Sequence, residues 1–164
     1  MRPQPIEPGP GQESVWDYPR PPRVEAVRSQ VEVNLAGETI ALTLEPLRVL
    51  ETSHPPGYYF PPSSVVPGRL YPTEHRTWCE FKGEARYFTV ALKGEIVPNA
   101  AWCFPEPLPG YEALAGYFSF YPSRMDACYV DGEFAQGQAG GFYGGWITST
   151  VVGPFKGEPG SAGW

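Results

Sequence analysis

Residues 30–52 read QVEVNLAGETIALTLEPLRVLET, and their alternation decides the fold. Val31, Val33 and Leu35 recur at every second position, and Ile40, Leu42 and Leu44 repeat the pattern beyond a break at Ala36-Gly37-Glu38. Successive side chains of a strand point to opposite faces, so a period of two marks half-buried strands and the glycine-containing break marks a hairpin turn. A third strand follows, ending near Thr52. His54-Pro55-Pro56-Gly57 then turns the chain, because proline fixes φ and glycine permits positive φ. Tyr58-Tyr59-Phe60 comes next as a short extended piece closed by Pro61-Pro62.

The same reading extends along the chain. Residues 86–92 and 95–104 read as strands joined at Lys93-Gly94. Only residues 110–117 show a helical pattern, with Tyr111, Leu114 and Ala115 on one face. Residues 124–130 suggest one more strand, and residues 132–145, GEFAQGQAGGFYGG, form a Gly-rich loop whose length suggests mobility or function. The expectation is a mainly β domain with one or two short helices. Residues 1–14 read as a flexible Pro- and Gly-rich leader, and residues 15–164 as one domain. Its first part, VWDYPRPPRVE, is an extended strap, since Trp16 and Tyr18 are costly to leave in water.

Composition narrows the function. A chain of 164 residues can bury a core without staples, and 41% hydrophobic residues with 15% aromatics exclude a disordered chain despite 21 prolines and 19 glycines. A formal charge of −6 without a Lys/Arg cluster argues against nucleic acid, whose binding draws on cations neutralising phosphates. Cys79, Cys103 and Cys128 are odd in number and widely spaced, so they signal neither a disulfide framework nor a zinc knuckle. With no apolar run of spanning length and no signal-peptide core in MRPQPIEPGPG, the expectation is a cytoplasmic protein with no membrane partner.

Four longer words carry a family likeness: RVLETSHPPGYYFPP, the spaced H-x-T-x-C-x-x-K-G-x-A-x-Y-F from His75 to Phe88, AAWCFPEPLPGYEALAGYFSFYP, and GWITSTVVGPFKGEPG. Over residues 14–164 the chain resembles domain-of-unknown-function family four-two-seven, bacterial proteins sometimes labelled nucleotidyltransferase-like. The resemblance implies two antiparallel sheets meeting at their edges, a β-tent-like arrangement, and brings no activity. Several β-tent proteins hold zinc with paired C-x-x-C knuckles, which this chain lacks. The nucleotidyltransferase label would require paired aspartates after a glycine turn to hold magnesium. Gly140-Gly141 is followed by FYGGW instead, with Asp126 and Asp131 upstream. GPFKGEPGS likewise fails the phosphate-loop spacing.

The rare polar groups cluster between Leu47 and Trp102. His75, Cys79 and Lys82 could meet at a bend, giving a thiolate activated by imidazole and ammonium, with Glu51 or Glu74 as orienting carboxylate. The plainer alternative is a buried Cys79 and a turn histidine. Glu51, His54, His75 and Cys79 could in principle ligate a metal, but their spacing does not signal one, and no cofactor is expected. Arg48 in an apolar strand is either a structural ion pair or a clamp for an anion. Tyr59 and Trp102 flank proline bends where strands end, so they are chosen as pocket walls, with Tyr121 and Lys82 beside them.

The leading expectation is a small-molecule-binding module whose aromatic-lined pocket is formed by Arg48, Glu51, Tyr59, His75, Lys82, Trp102 and Tyr121, serving a small polar or aromatic metabolite. The alternatives are an enzyme acting through Cys79 and His75, thiol-dependent or hydrolytic, and a protein-interaction module using the strap and Gly-rich loop. A homodimer is compatible with each.

Overall fold

The alternating sequence does form strands in the computed structural model, which describes residues 2–164. In chain order they are β1 (Glu13–Ser14), β2 (Arg23–Ala26), β3 (Val31–Leu35), β4 (Glu38–Thr43), β5 (Leu47–Leu50), β6 (Gly57–Tyr59), β7 (Leu70–Cys79) and β8 (Gly83–Leu92). They continue with β9 (Glu95–Cys103), β10 (Phe118–Phe120), β11 (Ala127–Val130), β12 (Glu133–Phe134), β13 (Gln136–Gly137), β14 (Trp146–Ile147) and β15 (Val151–Val152). The protein is mainly β.

Two four-stranded antiparallel sheets, β12-β11-β3-β4 and β10-β9-β8-β7, enclose most of the core. A three-stranded sheet, β2-β5-β6, joins the second of these through mutual backbone hydrogen bonds between Phe60 and Phe118. Two small pairs complete the set, β13 with β14 antiparallel and β1 with β15 parallel. Tight hairpins at Ala36-Gly37, Lys93-Gly94 and Asp131-Gly132 have positive φ at both residues. Two-residue turns of this kind match the right-handed twist of the flanking strands, and glycine at the second position makes them inexpensive.

The inward positions of β3 are Val31, Val33 and Leu35, as the alternation predicts. On β4 the pattern departs from expectation: Ile40 and Ala41 are both buried, whereas Leu42 and Leu44 are 45% and 65% exposed. The cause is a shift in β3–β4 register after Val33, where Ile40 is the extra residue between partners Thr39 and Ala41. Such a bulge changes which parity faces inward. The helix expected over residues 110–117 is a single 3-10 turn at Glu112–Leu114, because Gly110 and Gly116 take left-handed φ at its two ends. Three further 3-10 turns lie at Val15–Asp17, Pro62–Ser64 and Pro122–Arg124. No described helix is long and apolar enough to cross a membrane.

The two chain ends lie together. Ile6 N donates to the Gly153 carbonyl at 2.9 Å, Trp16 Nε1 donates to the Pro154 carbonyl at 2.9 Å, and the Trp16 and Trp164 rings meet edge to face at 5.4 Å. Val15 and Tyr18 are buried against Leu50 and Val151, so this contact has its own apolar seam.

Candidate functional site

The alternation that fills the main core on one side of the sheets leaves a second aromatic cluster on the other. Tyr58 and Phe60 point to the main core, and Tyr59 between them points away from it. Across β7, β8 and β9, Thr77 pairs with Ala85, Cys79 with Gly83, and Tyr87 with Trp102. Residues two apart share a face, so Thr77, Cys79, Ala85, Tyr87, Trp102 and Phe104 line one surface. Ala85 is small between large rings, which leaves room above it. Residues 142–145, together with His54, Pro55, Gln138, Lys156 and Trp164, complete the lining of a cleft of about 440 Å³.

The rings of the floor brace one another. Trp102 Nε1 donates to the Tyr59 hydroxyl at 3.2 Å, and the Trp102 and Tyr121 rings lie 4.6 Å apart. The Tyr121 hydroxyl donates to the Phe142 carbonyl at 3.2 Å, and Arg124 stacks over the Tyr121 ring at 4.0 Å. Burial pushes the Tyr59 and Tyr121 phenols well above their ordinary values. Both therefore stay neutral hydrogen-bonding groups at physiological pH.

Gln138 ties the second wall together. Its side-chain Nε2 donates to the Lys156 carbonyl at 2.7 Å, and its Oε1 accepts from Gly145 N at 3.1 Å. Gly144 lies so close to Trp102 that a methyl group there would overlap the indole. Gly144→Ala is therefore expected to force the loop away and cost about 1–3 kcal/mol, the usual range for overpacking. Urea denaturation checks this against Gly163→Ala, whose added methyl meets open space; equal midpoints for the two variants would show that the loop yields freely.

Of the residues chosen from sequence, Glu51, Tyr59, Cys79, Lys82, Trp102 and Tyr121 come together in the cleft, while Arg48 and His75 stand outside it. Arg48 alternates with Val49, and Val49 takes the cleft side. The guanidinium binds Glu25 at 2.6 Å and Glu13 at 2.7 Å, tying β1, β2 and β5 together. Burial works against its charge, but the hydrogen bonds to both carboxylates outweigh this and raise its pKa. The ion-pair reading of Arg48 is thus the one the geometry realises. His75 is exposed, with its ring 4.6 Å from that of Tyr87.

The bend expected to join His75 to Cys79 does not lie between them, since both belong to β7. Four residues of strand span about 13 Å, too far for imidazole to take a proton from the thiol. The chain turns only after Cys79, and this brings Lys82, but not His75, to the cleft beside Cys79. Among the described residues, no three His, Cys, Asp or Glu side chains gather to hold a metal. Glu51 is engaged by Arg20 at 3.1 Å.

His54 is the polar group that sequence reasoning placed only in a turn or a metal set. Its Nδ1 lies 2.9 Å from the Thr52 carbonyl, which can only accept, so Nδ1 carries the proton and Nε2 is left as an acceptor. The ring packs edge to face with Tyr143 at 5.3 Å. Burial lowers the His54 pKa, opposed by the Thr52 hydrogen bond. With the folded value below about 6.5, its unfolded reference, the unfolded chain binds more protons in the interval between the two. This contribution to stability is full above about pH 6.5 and declines as the pH falls through that interval. His54→Gln is expected to flatten the loss of denaturation midpoint between about pH 7 and 5; an unchanged slope would assign that loss to other groups.

The cleft floor falls within the part of the chain that a family model matches. A family model described as "Domain of unknown function (DUF427)" matches residues 23–131. The chain belongs to the DUF427 family. A comparison with curated proteins gives no match. The DUF427 match covers β2 through β11 and so takes in Tyr59, Cys79, Lys82, Trp102 and Tyr121. The second wall, from Gln138 to Trp164, lies beyond it, as does Arg20. The DUF427 label carries no reaction, so the chemistry rests on the cleft itself.

Proposed function

We propose that this DUF427 protein binds a small aromatic metabolite in the cleft floored by Tyr59, Tyr87, Trp102 and Phe104. The observation that carries this reading is a concavity of about 440 Å³ in which aromatic walls surround a few polar groups. Ligand sites have this composition and a volume of roughly 300–1,000 Å³, because apolar walls supply binding energy and a few fixed polar groups supply orientation. The Trp102 indole N–H is paired with the Tyr59 hydroxyl, so the indole brings no unpaired donor to the site. His54 Nε2, Lys82 and Glu51 are the groups that would orient the ligand. The three cysteines are free, which supports a reducing, cytoplasmic setting.

A nuclear magnetic resonance titration of the labelled protein with a library of aromatic fragments tests this reading. Shifts are expected at the Trp102 indole N–H, at Lys82 and across residues 138–145. A library that perturbs none of these would overturn the proposal. A second reading, an interaction module, draws on the edge strand β7, which leaves Tyr71 and Trp78 51% and 66% exposed. Perturbation confined to β7 by a protein partner would favour it.

A further inference from the structure

Three cationic side chains line the cleft. Arg20, Lys82 and Lys156 share it with the Glu51 and Glu80 carboxylates and with Trp164, in a chain of net charge −6. Arg20 is committed to Glu51. Lys156 Nζ donates to the Trp164 main-chain oxygen at 3.0 Å. Lys82 is in no ion pair among the described residues, and its ammonium instead lies 5.5 Å from the centre of the Phe104 ring.

That arrangement leaves Lys82 available at little cost. A cation over an aromatic face contributes about 0.5–1 kcal/mol when solvent reaches it, less than a charge-assisted hydrogen bond to an anion. An incoming anion would break no salt bridge and strand no carboxylate. The backbone is also held: the Lys82 carbonyl accepts from Leu108 N at 3.0 Å, and the next residue, Gly83, is buried with φ of 104° against Leu108. The lysine therefore leaves a fixed turn beside a cluster of rings. Phe104 is next to it, and the Phe104 and Trp102 ring centres each lie 6.3 Å from that of Tyr59.

We infer that the cleft selects a planar aromatic acid, with its ring against the Tyr59–Trp102 wall and its carboxylate on the Lys82 ammonium. This rests on the aromatic-metabolite reading and adds the sign of the ligand's charge and the residue that reads it. A neutral ring of the same shape would keep the wall contacts and lose the ion pair. A cationic one would meet the Lys82 ammonium.

Three probes with one ring and three charges separate these cases: indole-3-acetate, indole-3-acetamide and tryptamine, titrated calorimetrically into the full chain. The acid is expected to bind about tenfold tighter than the amide, the scale of one charge-assisted hydrogen bond, with tryptamine weakest. Added salt should narrow the gap. Lys82→Met should bring acid and amide together while retaining amide affinity, whereas Lys93→Met, in the β8–β9 turn outside the cleft, should leave the gap intact. Thermal denaturation confirms that each variant is folded. Binding of the amide with no preference for the acid, or a preference for tryptamine, would overturn the charge inference alone. A gap that survives Lys82→Met would overturn the assignment to Lys82. Failure of all three probes to bind would overturn the aromatic-metabolite reading with it.

Discussion

Trp146→Ala is expected to lower the unfolding free energy by about 3–5 kcal/mol, the range for truncating a large aromatic in a close-packed core. Trp146 has no exposed surface, and its ring lies 5.3 Å from that of Tyr58 and 6.0 Å from that of Phe60. Its Nε1 donates to the Phe120 carbonyl at 3.1 Å, so alanine would leave both a cavity and an unpaired buried acceptor. Trp146→Phe should cost less, because it keeps most of the volume and loses the hydrogen bond. The measurement is a urea midpoint with an unchanged slope. Trp146 lies outside residues 23–131, yet its neighbours Tyr58, Phe60 and Phe120 lie within them. A loss under about 1 kcal/mol would mean that the C-terminal segment is a dispensable cover; a full loss supports our proposal that residues 15–164 fold as one unit.

The local features were legible because local physics sets them. Val31, Val33 and Leu35 needed only alternation, and the turns at Ala36-Gly37 and Lys93-Gly94 needed only a glycine between apolar runs. Leu42 and Leu44 were misjudged because one extra residue, Ile40, reverses the facing of everything after it, and a bulge leaves no mark in composition. The short helix failed for a related reason: its apolar spacing was real, but glycines at both ends take φ values that stop propagation. Among the site residues, Tyr59, Lys82, Trp102 and Tyr121 could be chosen because rings and a lysine stand beside the bends that end strands. Arg48 could not be resolved. Its partners Glu13 and Glu25 are 35 and 23 positions away, and only the meeting of β1, β2 and β5 makes an ion pair of what would otherwise be a ligand clamp. For the second wall, length alone marks the loop over residues 132–145, and nothing local announces that Gln138 will hold the carbonyl of Lys156 and press Gly144 onto Trp102.

Trp102→Ala is expected to abolish binding of indole-3-acetate and to cost about 3–5 kcal/mol of stability, because this one ring serves both the floor and the loop above it. It is 9% exposed and contacts Tyr59, Tyr87 and Tyr121. Removing it strips the Tyr59 hydroxyl of its donor and removes the surface on which Gly144 rests. A stability loss alone would not show that the ring binds anything. Trp102→Phe separates the roles, since phenylalanine keeps an aromatic face while losing the indole N–H and part of the area. It should recover more than half of the lost stability and a weakened but measurable affinity. The acid-over-amide preference should persist in this variant, because Lys82 is untouched. Full affinity in Trp102→Phe would move the ring-binding surface to Tyr59 and Phe104, whereas a stable Trp102→Ala that still binds the acid would remove Trp102 from the site altogether.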